Sequence, residues 1–159
     1  DGGTSEIAAR GDVRPTADNT YDLGTATFRF DDVYATSGVV NTSDARLKRN
    51  VLQLDYGLAE VMQMKPVIYQ WRNDPTEETK IGLLAQDLQE IVPEVVKTHD
   101  YKINEESGEI EPYELDKLGV YYSDLIPVLI NAVQEQQAMI ERQQQELDRL
   151  RQEVDALKK

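Results

Sequence analysis

The sequence predicts an α+β protein ending in a long helix, and three observations carry that reading. Apolar residues repeat every seven positions over the C-terminal part, short strand-like and helix-like stretches alternate through the middle, and the first forty residues are rich in turn signals. We therefore divide the 159-residue chain into a short β-rich segment over 1–42, a small α/β domain over 43–124 and a helix over 125–159.

In the first segment, Pro15-Thr16, Asp18-Asn19, Asp22-Leu23-Gly24 and Ser37-Gly38 mark turns. Between them, Thr25 to Phe30 and Val33 to Thr36 are β-branched and aromatic enough to read as short strands. Arg10-Gly11-Asp12 spells an integrin-binding tripeptide, but a string of three residues in a turn-rich stretch reads as a turn.

The middle opens on a helix expected from Asp55, with Asp55 as cap and Leu54, Leu58, Val61 and Met62 on one face, ended by Pro66. Val67, Tyr69 and Trp71 then alternate with Ile68, Gln70 and Arg72 at strand period. Asn73 to Thr79 reads as a hairpin loop, and Ile81 to Leu84 as the returning strand, with Gly82 marking a close backbone approach. Gln86 to Ile91 is a short helix stopped near Pro93. Val95 to Ile103 and Ile110 to Leu115 are two further strands around a turn at Glu106 to Glu109. The acidic residues of this hairpin lack the alternating pattern with a central Gly that calcium loops use, so they read as a solvated surface.

The last element is a coiled-coil helix. Ile126, Val133, Ile140, Leu147 and Val154 fill one heptad position (a), and Leu129, Gln136, Gln143, Leu150 and Leu157 the other (d), apolar at eight of ten places. Glu146 with Arg151, and Glu153 with Lys158, have the spacing of interchain pairs in a parallel bundle. Gln136 and Gln143 trade apolar burial for a fixed register. The narrow seam favours association over packing on the helix's own domain.

Composition narrows the function. A net charge of −13 leaves no basic patch for nucleic acid, and no apolar run approaches the roughly 20 residues that cross a bilayer. With no Cys and one histidine, His99, neither a disulfide, a thiolate metal site nor a histidine-rich zinc site is expected, and no cofactor is implied. A middle of about eighty residues has a poor surface-to-volume ratio, so association is the remaining route to stability. The chain opens on Asp1, and further sequence upstream of it is expected.

Ser43 and Lys48 stand five residues apart where the composition changes. A serine hydroxyl needs a base to become a nucleophile, and the one histidine lies far away in sequence. Lysine serves only as the neutral amine. At the ordinary pKa of about 10.4, about 0.04% of a lysine is neutral at pH 7, and a water-poor, assembled site raises that fraction. On spacing alone the alternative is plainer: Ser43 or Asp44 caps a turn, and Arg46, Lys48 and Arg49 form a solvated basic face.

The stretch Ser43-Asp44-Ala45-Arg46-Leu47-Lys48-Arg49-Asn50-Val51 resembles the signature Ser-Asp-x-Arg-Leu-Lys-x-Asn-Ile/Val. That signature opens the intramolecular chaperone auto-processing domain of phage tail spikes, tail fibres and endosialidases. Lys65 to Trp71, Ile81 to Gln89, Val92 to Val96 and Val120 to Leu129 resemble later blocks of that family in the expected order. Pro15 to Gly24 is similar to segments that precede the domain in phage fibres.

The resemblance implies a single-turnover serine peptidase that trimerises fibre chains and then cuts itself away. Ser43 would attack the carbonyl of Thr42 with Lys48 as general base, and Asp44 and Arg46 would support the pair. It further implies a homotrimer with a parallel trimeric coiled coil, and an upstream fibre or spike of the same chain as partner, with neither nucleic acid nor membrane. Assembly would take place in the host cytoplasm, with the fibre portion kept in the virion tail and the chaperone portion released. Two alternatives stay open: a trimerising module that does not cut, and a processing domain of a membrane-tethered transcription factor. The second would require a basic DNA-binding segment upstream and a membrane span downstream.

Overall fold

The computed structural model describes residues 7–104 and 107–158, which fall into two units, one ending at Thr36 and one starting at Ser37. Within the first unit, Thr25 and Phe28 close a turn: the Thr25 N–H donates to the Phe28 carbonyl at 3.0 Å, and the Phe28 N–H to the Thr25 hydroxyl at 3.0 Å. Gly24 precedes it at φ +84°, where a Cβ would sit 3.0 Å from the Phe28 carbonyl, so glycine is required there.

No strand forms among the described residues 7–42, which corrects the β-rich expectation for this segment. The reason is physical: a strand exists only by pairing its backbone with another, and among the described residues 7–42 no second strand offers that pairing. Phe28 is 82% and Tyr34 93% exposed.

The second unit is α+β. Its elements are α1 (Leu58–Val61), β1 (Val67–Tyr69), β2 (Lys80–Gly82), α2 (Ala85–Gln89), β3 (Val96–Ile103), β4 (Ile110–Val120) and α3 (Leu125–Leu157). Single 3-10 turns at Ala45–Leu47, Pro93–Val95 and Tyr122–Asp124 join them. Two antiparallel hairpins form, β1–β2 with Ile68 opposite Ile81, and β3–β4 with His99 opposite Glu114.

The helix expected from Asp55 starts later, at Leu58, and Asp55 does not cap it. Glu60 takes the Gly57 N–H at 2.7 Å and Glu135 of α3 takes the Leu58 N–H at 2.8 Å. Upstream, the Asn131 amide of α3 donates to the carbonyls of Tyr56 (2.9 Å) and Leu54 (3.4 Å), so those groups are spent on α3 rather than on a helical turn. Strand β4 runs five residues beyond the expected Leu115. A bulge opposite Thr98 absorbs the polar Asp116-Lys117, and Leu118 and Val120 return to the core.

The core is small. Leu88, Val92, Val95, Val96 and Leu125 form its centre, with Tyr56, Met64, Leu83 and Ile91 packed around it. Gly82 is a close approach, as its sequence context indicates: a Cβ there would lie 2.7 Å from the Tyr122 hydroxyl, which takes the Leu83 N–H at 2.9 Å. Helix α3 begins with Pro127 inside its first turn, where no intrahelical N–H bond is lost. It buries Leu125, Val128 and Ala132 against the domain. The heptad positions point elsewhere: Ile126, Val133, Ile140, Leu147 and Val154 are 48–62% exposed.

Candidate functional site

The 3-10 turn at Ala45–Leu47 is the device that brings Ser43 and Lys48 together. Asp44 is its N-cap: the side chain accepts the Arg46 N–H at 2.9 Å, and the Asp44 carbonyl accepts the Leu47 N–H at 3.1 Å. The Lys48 N–H closes the turn on the Ala45 carbonyl at 3.1 Å. An extended chain would carry residues five apart roughly 17 Å from each other. The turn folds that span back, and the Lys48 Nζ donates to the Ser43 Oγ at 2.7 Å.

Asp44 and Arg46 also meet side chain to side chain. Arg46 Nε lies 3.0 and 3.1 Å from the two carboxylate oxygens, and Nη2 lies 2.5 Å from Oδ2. The guanidinium holds the Asp44 carboxyl below its ordinary value, with the Arg46 backbone N–H as the second cause, and Asp44 in turn raises the Arg46 pKa. The pair therefore fixes the turn without touching the Ser43 hydroxyl. Arg49 and Leu47 face solvent, as do Ser43 and Lys48 in the single chain.

Asn50 leaves the site at φ +52°, a left-handed conformation that asparagine and glycine adopt at low cost. The following stretch reaches the polar clamp of α3 at Leu54, Tyr56 and Leu58. Sequence reasoning missed Asn50, Asn131 and Glu135 as structural determinants. A signal for the last two was present: Leu125, Val128 and Ala132 form a second apolar stripe outside the heptad seam, and Asn131 and Glu135 flank it one turn apart.

Thr42 and Ser43 are exposed, so the bond between them lies open beside the serine hydroxyl. A hydroxyl on the residue after a peptide bond can reach that bond's carbonyl carbon through a five-membered ring of Oγ, Cβ, Cα, N and C. Chemically the arrangement offers a nucleophile, an amine within hydrogen-bond reach of it, and an accessible peptide bond.

Residues 43–97 match the model of a peptidase family described as "Chaperone of endosialidase". Over 41 residues the chain is 54% identical to the Side tail fiber protein pb1 of Escherichia phage T5, a match covering 26% of this chain and 3% of that protein. The chain thus spans a small part of that relative's length. The resemblance read from Ser43 to Val51 is borne out: residues 43–97 are similar to the intramolecular chaperone domains of phage fibres.

Proposed function

Taking residues 43–97 as a chaperone domain of phage-fibre type, we propose that this chain gathers three copies of a tail fibre or spike and then cuts itself free between Thr42 and Ser43. The observation that carries the proposal is the 2.7 Å contact from Lys48 Nζ to Ser43 Oγ beside an exposed peptide bond. The heptad seam supports the assembly half: its apolar residues are exposed along the whole helix and have no other cover within the described residues of one chain.

In the proposed reaction a neutral Lys48 takes the Ser43 hydroxyl proton as Oγ bonds to the Thr42 carbonyl carbon. The tetrahedral intermediate collapses by breaking the carbon–nitrogen bond, and the Lys48 ammonium returns the proton to the departing Ser43 amine. Water then hydrolyses the ester, leaving a carboxylate on Thr42 and a free hydroxyl and α-amine on Ser43. Because both groups are exposed in one chain, neighbouring copies supply the exclusion of water that favours a neutral lysine. Cutting after assembly removes the template and leaves the fibre kinetically trapped.

The same exposure favours a second reading, an assembly module that holds the turn but does not cut. Mass and N-terminal sequence of the assembled protein separate the two. Self-cleavage yields two fragments with Ser43 as a new N-terminus, and both Ser43→Ala and Lys48→Ala keep the chain whole. An assembled wild-type chain that stays intact refutes the cut and leaves the assembly module.

A further inference from the structure

We infer that in the assembled protein Ile130 of one copy docks into an apolar groove of the next, so that each chaperone domain is completed by its neighbour's helix. The inference rests on the proposed parallel assembly through the heptad seam. The groove, of about 370 Å³, lies between the end of α1, the start of β1 and the first turns of α3, and its walls include Met62, Pro66, Leu83, Leu125, Val128 and Leu129. Met62 is 76% exposed, although it sits among apolar neighbours.

Two members of that wall tie the groove to the seam. Leu129 is a d-position residue and stands 48% exposed, so any copy that zips along the seam passes the groove mouth. Leu125 occupies the g position of the preceding heptad, one residue before Ile126. In a parallel bundle a g residue faces the e residue five positions later on the adjacent helix, and for Leu125 that residue is Ile130, 53% exposed in the single chain.

The flanking positions change character along the helix. The e positions read Ile130, Gln137, Gln144, Arg151 and Lys158, while the g positions read Leu125, Ala132, Met139, Glu146 and Glu153. At the C-terminal end the flanks are charged, as in an ordinary solvated coiled coil. At the base they are apolar, which is costly to expose unless another surface covers them. Leu125 and Ala132 are buried against their own domain, so Ile130 is the residue of the base flanks left for a second copy. Register, apolar chemistry and position all place it at the groove.

The absence of cysteine from the sequence makes a direct test available. Full-length Met62→Cys and Ile130→Cys chains are mixed, assembled and oxidised, so that any disulfide between these positions joins different copies. We expect linked peptides containing positions 62 and 130. A parallel sample of Leu147→Cys chains reports the seam itself. If Leu147→Cys copies link and the 62–130 pair does not, the groove inference is overturned and the assembly stands. If the Leu147→Cys copies fail to link as well, the assembly is refuted and the inference with it. Independently, Ile130→Gln gives the first heptad the polar e residue of the next two. It should raise the chain concentration at which assembly is half complete by about tenfold, and an unchanged midpoint counts against the docking.

Discussion

Removing the Glu135 carboxylate is expected to destabilise the unit that starts at Ser37 far more than its place on a largely exposed helix implies. Glu135 Oε2 accepts the Leu58 N–H at 2.8 Å across 77 residues of sequence, in a half-buried setting. A hydrogen bond to a charged group contributes about 1.5–3 kcal/mol, and loss of a helix cap costs about 0.5–2 kcal/mol. The overlap of these ranges puts Glu135→Ala at about 1.5–2 kcal/mol. Gly57 supplies the internal control. A Cβ at Gly57 would fall on the Glu135 carboxylate, so Gly57→Ala drives that group away and breaks the same bond. Each single change should cost a similar amount, and the double variant about as much as either alone, because the interaction can be lost only once. Glu141→Ala, which removes an exposed bond to Gln137 at 2.9 Å on the same helix, should cost about 0.5 kcal/mol or less. Urea unfolding at fixed chain concentration, followed by fluorescence of the single Trp71, reads the domain, since Trp71 packs edge-on against Tyr69 at 5.4 Å. Additive losses in the double variant, or equal losses for Glu135→Ala and Glu141→Ala, would refute the clamp.

Acid should weaken the β3–β4 hairpin. Lys97 bonds Asp100 at 3.0 Å and holds its carboxyl below its ordinary 3.8, so that stabilisation is present above pH 3.8 and disappears as pH falls through the lower folded value. Asp100→Asn should flatten the dependence of unfolding free energy on pH in that acid window. At the site, Asp44→Asn removes the charge that Arg46 clasps, and the proposed cleavage, followed by fragment mass over time, should slow while assembly is retained. Asn50→Gly should keep stability within a few tenths of a kcal/mol, whereas Asn50→Val at φ +52° should cost about 1–2 kcal/mol by urea titration. In the proposed helix assembly, replacing Gln136 and Gln143 together with Leu should raise the melting point and broaden the oligomer distribution seen by light scattering, because two polar d residues that would penalise shifted registers are gone.

Particular residues show what was legible in the sequence. The heptads of α3 and the close approach at Gly82 were readable, since periodicity and a glycine between apolar neighbours are local signals. The contact of Ser43 with Lys48 was half legible: the spacing and the Asp44 cap lie in the sequence, but the turn that folds five residues back shows only in three dimensions. The strands expected over Thr25–Phe30 and Val33–Thr36 did not form, because β propensity describes a surface that must still find a partner. The cap expected from Asp55 failed for a related reason: Asn131 and Glu135 arrive from 75–77 residues away and claim the backbone groups first.

By itself, the sequence determined that the last described stretch is a helix with a heptad seam of apolar residues, and that a serine and a lysine stand five residues apart ahead of a small α/β domain. Only the tertiary structure decided which face of that helix its own domain covers, which face stays exposed, and where the chain between Asn50 and Leu58 is held. Helix period, capping and turn chemistry depend on residues a few positions apart and survive in the linear order. Burial and long-range capping depend on residues that meet only after the chain has closed on itself, and no local pattern records that meeting.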